Sequence, residues 1–171
     1  GAIVTNDAAL AEHMTMLARH GGLVKHKHQI EGINSRLDGM QAAILSAKLP
    51  HLPAWTKARQ DAAKVYDSGL NQVEDVVVPE VGPDRTHVYH LYTIRHPRRD
   101  ELVKHLNAHG VQTAVNYPTA LPFLEAYGRF KHRPEQFPNA HADQGRIVSL
   151  PMFAEITRAQ QDEVIELVRR F

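Results

Sequence analysis

The spacing of apolar residues changes near Asp75, and this change constrains the fold more than any other feature of the sequence. Before Asp75, apolar residues recur at helical intervals in three segments, the last of them over residues 52–70. After it, short runs rich in β-branched residues alternate with helical segments. We therefore predict helices in the first part and a compact α+β unit, a small sheet flanked by helices, over residues 75–171.

The predicted elements have recognisable ends. Asn6 or Asp7 can cap the first helix, a second helix begins near Leu37, and Thr157 with Gln160 forms a capping box for the last one. Strands are predicted over residues 1–5, 76–79, 88–95, 111–115 and 147–151. Further helices are predicted from residue 99 and over 139–147.

Composition excludes several classes of function. Lys plus Arg is 20 and Asp plus Glu is 19, so no overall field attracts nucleic acid or an acidic membrane. No apolar run approaches the roughly 20 residues that cross a bilayer. There is no cysteine, which excludes disulfides and thiolate chemistry, and no signal segment is recognisable. We expect a cytoplasmic protein that binds neither nucleic acid nor membrane.

The polar segment 31–41 leads into the second helix and contains Asn34, Ser35 and Arg36. Two interpretations carry equal weight on chemistry alone. The donors of this segment and of the first helical turn suit an anion, especially a phosphate. Alternatively, Ser35 is simply the N-cap, with Asp38 three residues later, and Arg36 is solvated.

Other candidate sites are weaker. The twelve histidines include the pairs His26/His28 and His87/His90, but they lie far apart and we predict no metal site. A core histidine is the better interpretation of His90. Ser149 lacks the nucleophile-elbow glycines, and no lysine lies in an apolar segment that would depress its pKa. The predicted strand over 111–115 ends at Asn116-Tyr117-Pro118, which places an amide and a phenol at a sheet edge, unless this is only a turn.

Several motifs occur in an order that is typical of one enzyme family. They are Gly1-Ala-Ile-Val-Thr5, Arg19-His-Gly21, Asn34-Ser-Arg36-Leu-Asp38-x-x-Gln41-Ala-Ala43, Tyr89-His-Leu-Tyr92 and Ser149-Leu-Pro-Met152. Over essentially its whole length the sequence resembles the carboxy-terminal part of the DegT/DnrJ-type sugar aminotransferases. The segment from Asn34 to Ala43 is the most specific part of this resemblance.

The resemblance implies an α/β enzyme of the aspartate-aminotransferase fold (fold type I). Residues 1–74 would belong to the end of the large cofactor domain and to interdomain or dimer helices, and residues 75–171 to the small C-terminal domain. The implied cofactor is pyridoxal 5'-phosphate. The implied reaction moves an amino group, usually from glutamate, onto a keto-sugar nucleotide, in a homodimer whose active sites lie at the subunit interface.

The resemblance also implies roles for individual residues. The asparagine matching Asn34 contacts the cofactor phosphate of the other subunit, and the arginine matching Arg36 can contact the substrate. Asn116 and Tyr117 match the family's His-Tyr-Pro at the sugar-nucleotide site, and Ala120-Leu121-Pro122 matches its Pro-Leu-His, so two histidines are replaced. The lysine that binds the cofactor covalently is expected before Gly1, so this chain contains no catalytic residue and is expected to be inactive alone.

Two alternatives differ in class from an aminotransferase. One is an aminotransferase-like binding or regulatory module without catalysis, which the two missing histidines favour slightly. The other is a metal-binding module, for which the scattered histidines give little support. The partners that the resemblance implies are a nucleotide-linked keto-sugar and an amino-acid donor.

Overall fold

The computed structural model describes residues 2–171 and separates into two compact units, one ending at Pro50 and the other formed by His51–Phe171. The N-terminal unit contains helix α1, Ala8–Ala18, and helix α2, Gly39–Lys48. A loop joins the two helices. The predicted cap of α1 is confirmed, because the Asp7 carboxylate accepts a hydrogen bond from the Leu10 amide at 3.0 Å.

The predicted strand over 1–5 is wrong for the part of it that the structure describes. Residues 2–5 pair with no other strand, and Val4 is 92% exposed. An isolated extended segment has no partner for its backbone groups, so apolar, β-branched content alone does not make a strand. Gly1 lies outside the described residues.

The C-terminal unit is built on a two-stranded antiparallel sheet with helices around it. Strand β1, Tyr92–Arg95, pairs with strand β2, Ile147–Leu150, with Tyr92 opposite Leu150. The helices are α3, Leu52–Leu70; α4, Arg99–Ala108; α5, Pro138–Gln144; and α6, Arg158–Arg169. Short 3-10 turns cover Leu49–His51, Leu121–Phe123, Glu125–Phe130 and Pro134–Gln136.

The sheet is smaller than predicted. The predicted strands over 76–79 and 111–115 contribute only single bridges, Val77 with Arg95 and Ala114 with Ser149. The predicted strand over 88–95 is shortened to β1, because Tyr89 has a left-handed backbone with φ of +47° that interrupts the extended conformation. His90 is consequently exposed and outside the strand, so its prediction as a core histidine is wrong.

The core of the C-terminal unit lies between the sheet and helices α3, α4 and α6. Its fully buried side chains are Tyr66, Leu70, Tyr92, Ile94, Leu102, Leu106 and Val148. The two tyrosine hydroxyls are satisfied: Tyr66 donates to the Pro151 carbonyl at 2.9 Å and Tyr92 donates to Asp67 at 2.7 Å. Burial raises the pKa of both phenols far above the usual value, so both hydroxyls stay protonated.

The boundary between the compact units precedes α3, whereas the sequence suggests a domain boundary near residue 75. Helix α3 groups with the C-terminal unit because it packs along α6 and contributes Tyr66 and Leu70 to the core. The assignment of residues 1–74 and 75–171 to two domains of a larger enzyme stays a prediction. No helix within residues 2–171 combines the length and the apolar character needed to span a bilayer.

At Gly69 the backbone of α3 lies close against a side chain of α6. A Cβ atom there would lie 2.6 Å from Ile165 Cδ1 and 2.9 Å from Ile165 Cγ2. Alanine normally favours a helix over glycine by about 1 kcal/mol, but overpacking costs about 1–3 kcal/mol. Gly69→Ala should therefore lower the urea midpoint of unfolding, whereas Gly145→Ala, with no atom within 4 Å, should not. A Gly69→Ala variant more stable than wild type would contradict this packing.

His96 should make stability depend on pH. The ring is 4% exposed and its Nδ1 accepts a hydrogen bond from the Arg98 amide at 3.0 Å. Burial lowers the pKa of His96, with a weaker opposing effect from Asp75. The contribution of the neutral His96 ring to the free energy of unfolding is complete above the unfolded pKa of about 6.5. It is lost as pH falls toward the lower pKa of the folded state. The free energy of unfolding, measured in urea between pH 7.5 and 5, should fall more steeply with decreasing pH for wild type than for His96→Gln. An equal pH dependence in the two proteins would refute this.

Candidate functional site

The backbone around Asn34 is fixed by hydrogen bonds to the end of α1. The Ile33 amide donates to the Leu17 carbonyl at 2.8 Å, and the Ser35 amide donates to the Ala18 carbonyl at 3.0 Å. Asn34 and Arg19 form an antiparallel bridge. The polar segment is therefore held against a helix, which limits the positions that the Asn34 side chain can reach.

Two glycines make this close packing possible. Gly21 has φ of +84°, and a Cβ atom there would lie 1.7 Å from the Ile30 carbonyl oxygen. At Gly32 a Cβ atom would lie 2.1 Å from the Gly21 nitrogen. Any side chain at these positions would push apart the two loop segments around Gly21 and Gly32, which explains why the local sequence is glycine-rich.

The Asn34 and Arg36 side chains form one donor group. Arg36 Nε donates to Asn34 Oδ1 at 3.3 Å, and both side chains are exposed. Because the amide oxygen accepts from Arg36, the Asn34 NH₂ group and the remaining guanidinium N–H groups are the donors left for a ligand. This arrangement suits an oxyanion such as a phosphate.

The cap of α2 differs from the sequence-based interpretation. Asp38, not Ser35, is the N-cap, and its carboxylate accepts a hydrogen bond from the Gln41 amide at 2.9 Å. The interpretation of Ser35 as N-cap is therefore wrong, because the helix begins at Gly39, four residues after Ser35. Because the Asp38 carboxylate already accepts from the first turn of α2, an anion would be held by the Asn34 and Arg36 side chains and not by the helix N-terminus.

A basic cavity adjoins Arg36. It has a volume of about 350 Å³ and is lined by Arg19, His20, Gly22, Leu23, Val24, Lys25, His26, His28 and Arg36. No carboxylate lines it, and three of the lining residues carry a fixed positive charge. The sequence does not single out Lys25 as a site residue, because the position of this loop beside Arg36 is not visible in the spacing of the residues.

In the C-terminal unit, Asn116 is partly buried and Tyr117 is 71% exposed, and the peptide bond between them is cis. Ser149 donates a hydrogen bond to Asn116 Oδ1 at 3.2 Å. Tyr117 borders a cavity of about 540 Å³ whose walls are mainly apolar, lined by Tyr117, Pro118, Thr119, Ala120, Leu121, Leu124, Ala140, Asp143, Gln144 and Ile147.

One wall of this apolar cavity is held by an ion pair. Arg95 donates to both carboxylate oxygens of Asp143, at 2.7 and 2.8 Å. These hydrogen bonds hold the pKa of Asp143 below its usual value, against the opposing effect of burial. Nearby, the Ala120 amide donates to Gln144 at 3.0 Å, which ties the loop after Pro118 to α5.

The histidine pairs do not assemble a metal centre within residues 2–171, where no three His, Asp or Glu side chains converge. His28 Nδ1 lies 2.8 Å from the His20 carbonyl, and His87 Nδ1 accepts from the Tyr89 amide at 2.9 Å. In each pair, one ring nitrogen is therefore engaged in a local backbone contact.

Comparison with known proteins places this arrangement in a family. The sequence is 43% identical to the "Pleiotropic regulatory protein" of Geobacillus stearothermophilus, over 100% of this chain and 46% of that protein. It is 39% identical to the dTDP-3-amino-3,4,6-trideoxy-alpha-D-glucose transaminase of Streptomyces venezuelae, over 100% of this chain and 45% of the relative. The chain thus spans about half the length of the curated relatives that it matches.

Solved structures agree with the sequence matches. The crystal structure of DesV from S. venezuelae superposes with a TM-score of 0.93 at 39% identity, covering 98% of this chain and 45% of DesV. The predicted fold class, the α/β fold of the sugar aminotransferases, is confirmed. The match to the family description covers residues 1–169. The chain belongs to the DegT/DnrJ/EryC1/StrS aminotransferase family.

Proposed function

We propose that the protein containing this chain is a pyridoxal-phosphate-dependent aminotransferase that moves an amino group from an amino acid, glutamate in the first instance, onto a keto-sugar nucleotide. The observation that carries this proposal is the 39% identity, along the whole chain, to a protein named as a dTDP-sugar transaminase. Another relative, 36% identical, is named as a UDP-sugar aminotransferase. A role in polysaccharide or deoxyamino-sugar biosynthesis follows from such a substrate.

The residues of the N-terminal unit fit the phosphate of the proposed cofactor. Among the described residues 2–171, the amide oxygen of Asn34 accepts from Arg36, its NH₂ group has no acceptor, and no carboxylate lines the basic cavity beside it. When bound, pyridoxal phosphate supplies an electron sink for carbanion chemistry at the amino-bearing carbon. In the proposed homodimer with shared active sites, Asn34 would serve the cofactor of the partner subunit.

The other proposed roles concern the substrate. Arg36 can bind a phosphate or carboxylate oxygen with its remaining N–H groups. The basic cavity, with Lys25 and Arg19 in its walls, is suited to the diphosphate of a nucleotide sugar. Asn116 and Tyr117 are proposed to contact the sugar, since Tyr117 borders a cavity of about 540 Å³ and the partly buried Asn116 directly precedes it.

No lysine of this chain is suited to covalent attachment of the cofactor. All of them, at positions 25, 27, 48, 57, 64, 104 and 131, are solvent-exposed, so none lies in the kind of desolvated pocket that activates a lysine for covalent catalysis. We therefore propose that this chain alone has no transaminase activity.

The donor half-reaction tests the proposed function without knowledge of the sugar. The intact protein, loaded with pyridoxal phosphate, is mixed with L-glutamate, and 2-oxoglutarate is measured by mass spectrometry. About one equivalent of 2-oxoglutarate per subunit is expected in the absence of a keto-sugar. A loaded protein that releases no 2-oxo acid from glutamate, glutamine, aspartate or alanine would refute the proposal.

A regulatory module is the second candidate function. The relative with 43% identity is named as a pleiotropic regulatory protein, and another, 38% identical, as a sensory transduction protein. Such a protein would keep the fold and lack turnover. Failure of the intact protein to bind pyridoxal phosphate, together with correct folding by circular dichroism, would favour this candidate.

A further inference from the structure

Ser149 lies at the centre of the small sheet and is 3% exposed. On one side it pairs with Thr93 of β1. On the other side its amide donates to the Ala114 carbonyl at 2.7 Å, and its carbonyl accepts from the Ala114 amide at 3.2 Å. The two backbone hydrogen bonds to Ala114 and the pairing register with β1 hold the Cα position of Ser149, so its side chain has a well-defined origin.

Three polar side chains form a chain across this part of the sheet. Ser149 Oγ lies 2.9 Å from Thr93 Oγ1 and 3.2 Å from Asn116 Oδ1. A serine hydroxyl has one proton to donate, and here it goes to Asn116 Oδ1. Thr93 must then donate its own proton to Ser149 Oγ. The direction of donation runs from Thr93 through Ser149 to the amide oxygen.

This chain of hydrogen bonds holds the Asn116 amide by its oxygen, which leaves the NH₂ end available to a ligand. Oδ1 accepts from Ser149, and within residues 2–171 the NH₂ group donates to no protein acceptor. The side chain is only partly buried, and the following residue, Tyr117, is 71% exposed and borders the apolar cavity. Asn116 therefore keeps both N–H donors for a ligand, while one lone pair of its oxygen is already used by Ser149.

We infer that Ser149, supported by Thr93, is a positioning residue that orients Asn116 so that its NH₂ group donates to an oxygen of the nucleotide-linked sugar. The inference rests on the proposed function for the identity of the ligand. The ligand atom is an acceptor, such as a carbonyl, a hydroxyl or a phosphate oxygen. A group that can only donate would meet another donor and be rejected.

Binding of two non-reacting nucleotide sugars tests this inference. The dissociation constants of dTDP-glucose and UDP-N-acetylglucosamine are measured by calorimetry on the intact protein loaded with pyridoxal phosphate. Asn116→Asp keeps the shape and an acceptor for Ser149 but removes the outward donor. We expect about tenfold weaker binding of whichever sugar wild type binds, the loss of one hydrogen bond that leaves the ligand oxygen unpaired. The loss should persist at about 0.5 M salt, where a purely Coulombic effect is screened.

The hydroxyl chain is tested with matched variants. Ser149→Ala should weaken binding about three- to tenfold, because the amide is then free to rotate. Thr93→Val should have a smaller effect, and Thr93→Ser, which keeps the hydroxyl, should restore wild-type affinity. Asn107→Asp, on the exposed face of α4, controls for added charge. Thermal unfolding of each variant separates loss of affinity from loss of folding.

The outcomes separate this inference from the proposed function. Binding by Asn116→Asp as tight as wild type would show that the amide presents its oxygen and would overturn the inference. Unchanged affinity in Ser149→Ala, with a lowered melting temperature, would reduce Ser149 to a structural role. A wild-type protein that converts glutamate yet binds neither sugar would overturn the inference and leave the aminotransferase proposal standing. Sugar binding that depends on Asn116, in a protein that does not convert glutamate, would support the inference and count against the aminotransferase proposal.

Discussion

Asn34→Asp in the intact protein is expected to lose pyridoxal phosphate more readily than Asn34→Ala. Asn34 Oδ1 accepts from Arg36 Nε, and only the NH₂ group remains for the cofactor phosphate. Alanine removes this donor, which should weaken cofactor affinity about tenfold. Aspartate replaces it with a negative oxygen that repels the phosphate, so we expect a further loss of about tenfold. Retention is measured by ultrafiltration of the loaded protein and the absorbance of the released cofactor.

The aspartate variant distinguishes direct binding from an indirect role. If Asn34 only orients Arg36, a carboxylate would hold the guanidinium at least as well, and Asn34→Asp would retain the cofactor. The backbone bridge between Asn34 and Arg19 does not involve the side chain, so neither variant should alter the loop. Asn107→Asp serves again as a charge control. Wild-type retention by both Asn34 variants would refute a role for Asn34 in cofactor binding.

Leu102→Ala is expected to lower the free energy of unfolding by about 2–5 kcal/mol. Leu102 is fully buried in the core between the sheet and helices α4 and α6. Its truncation leaves a cavity that the surrounding side chains cannot fill, because β1 and β2 are paired in a fixed register. Urea unfolding followed by far-UV circular dichroism measures the change.

Leu91→Ala is the matched control for this core substitution. Leu91 directly precedes β1 but is 37% exposed, so the same truncation removes less buried surface and should cost less than about 1 kcal/mol. Equal destabilisation by the two substitutions would show that the core does not lie where the structure puts it. The comparison also uses the same chemical change in both positions, which removes differences in the unfolded chain.

Local signals in the sequence predicted much of the helical structure. Helix α3 covers the predicted residues 52–70. Helix α6 begins with the predicted capping box, in which Thr157 is the N-cap and Thr157 and Gln160 bond to each other's backbone. Strand β2 lies within the predicted segment 147–151. These features were predictable because the interacting groups are within four residues of each other along the chain.

Strand content was predicted less well. The segments 76–79 and 111–115 have strand-like composition, yet each forms a single bridge, to Arg95 and Ser149 respectively. A strand exists only where a distant segment provides a paired edge, and neither the edge nor its register is encoded in composition. The positive φ at Tyr89 likewise has no sequence signal, since aromatic residues favour extended backbone.

The sequence by itself predicted the family, the capping box of α6 and the residue types of the proposed sites, including Asn34, Arg36, Asn116 and Tyr117. Only the tertiary structure decided how those groups are presented. Arg36 occupies the oxygen of Asn34, and Ser149, 33 residues beyond Asn116, occupies the oxygen of that amide. The physical reason is that an asparagine offers a donor and an acceptor on one rotatable group, and only its neighbours in space select which of the two faces a ligand.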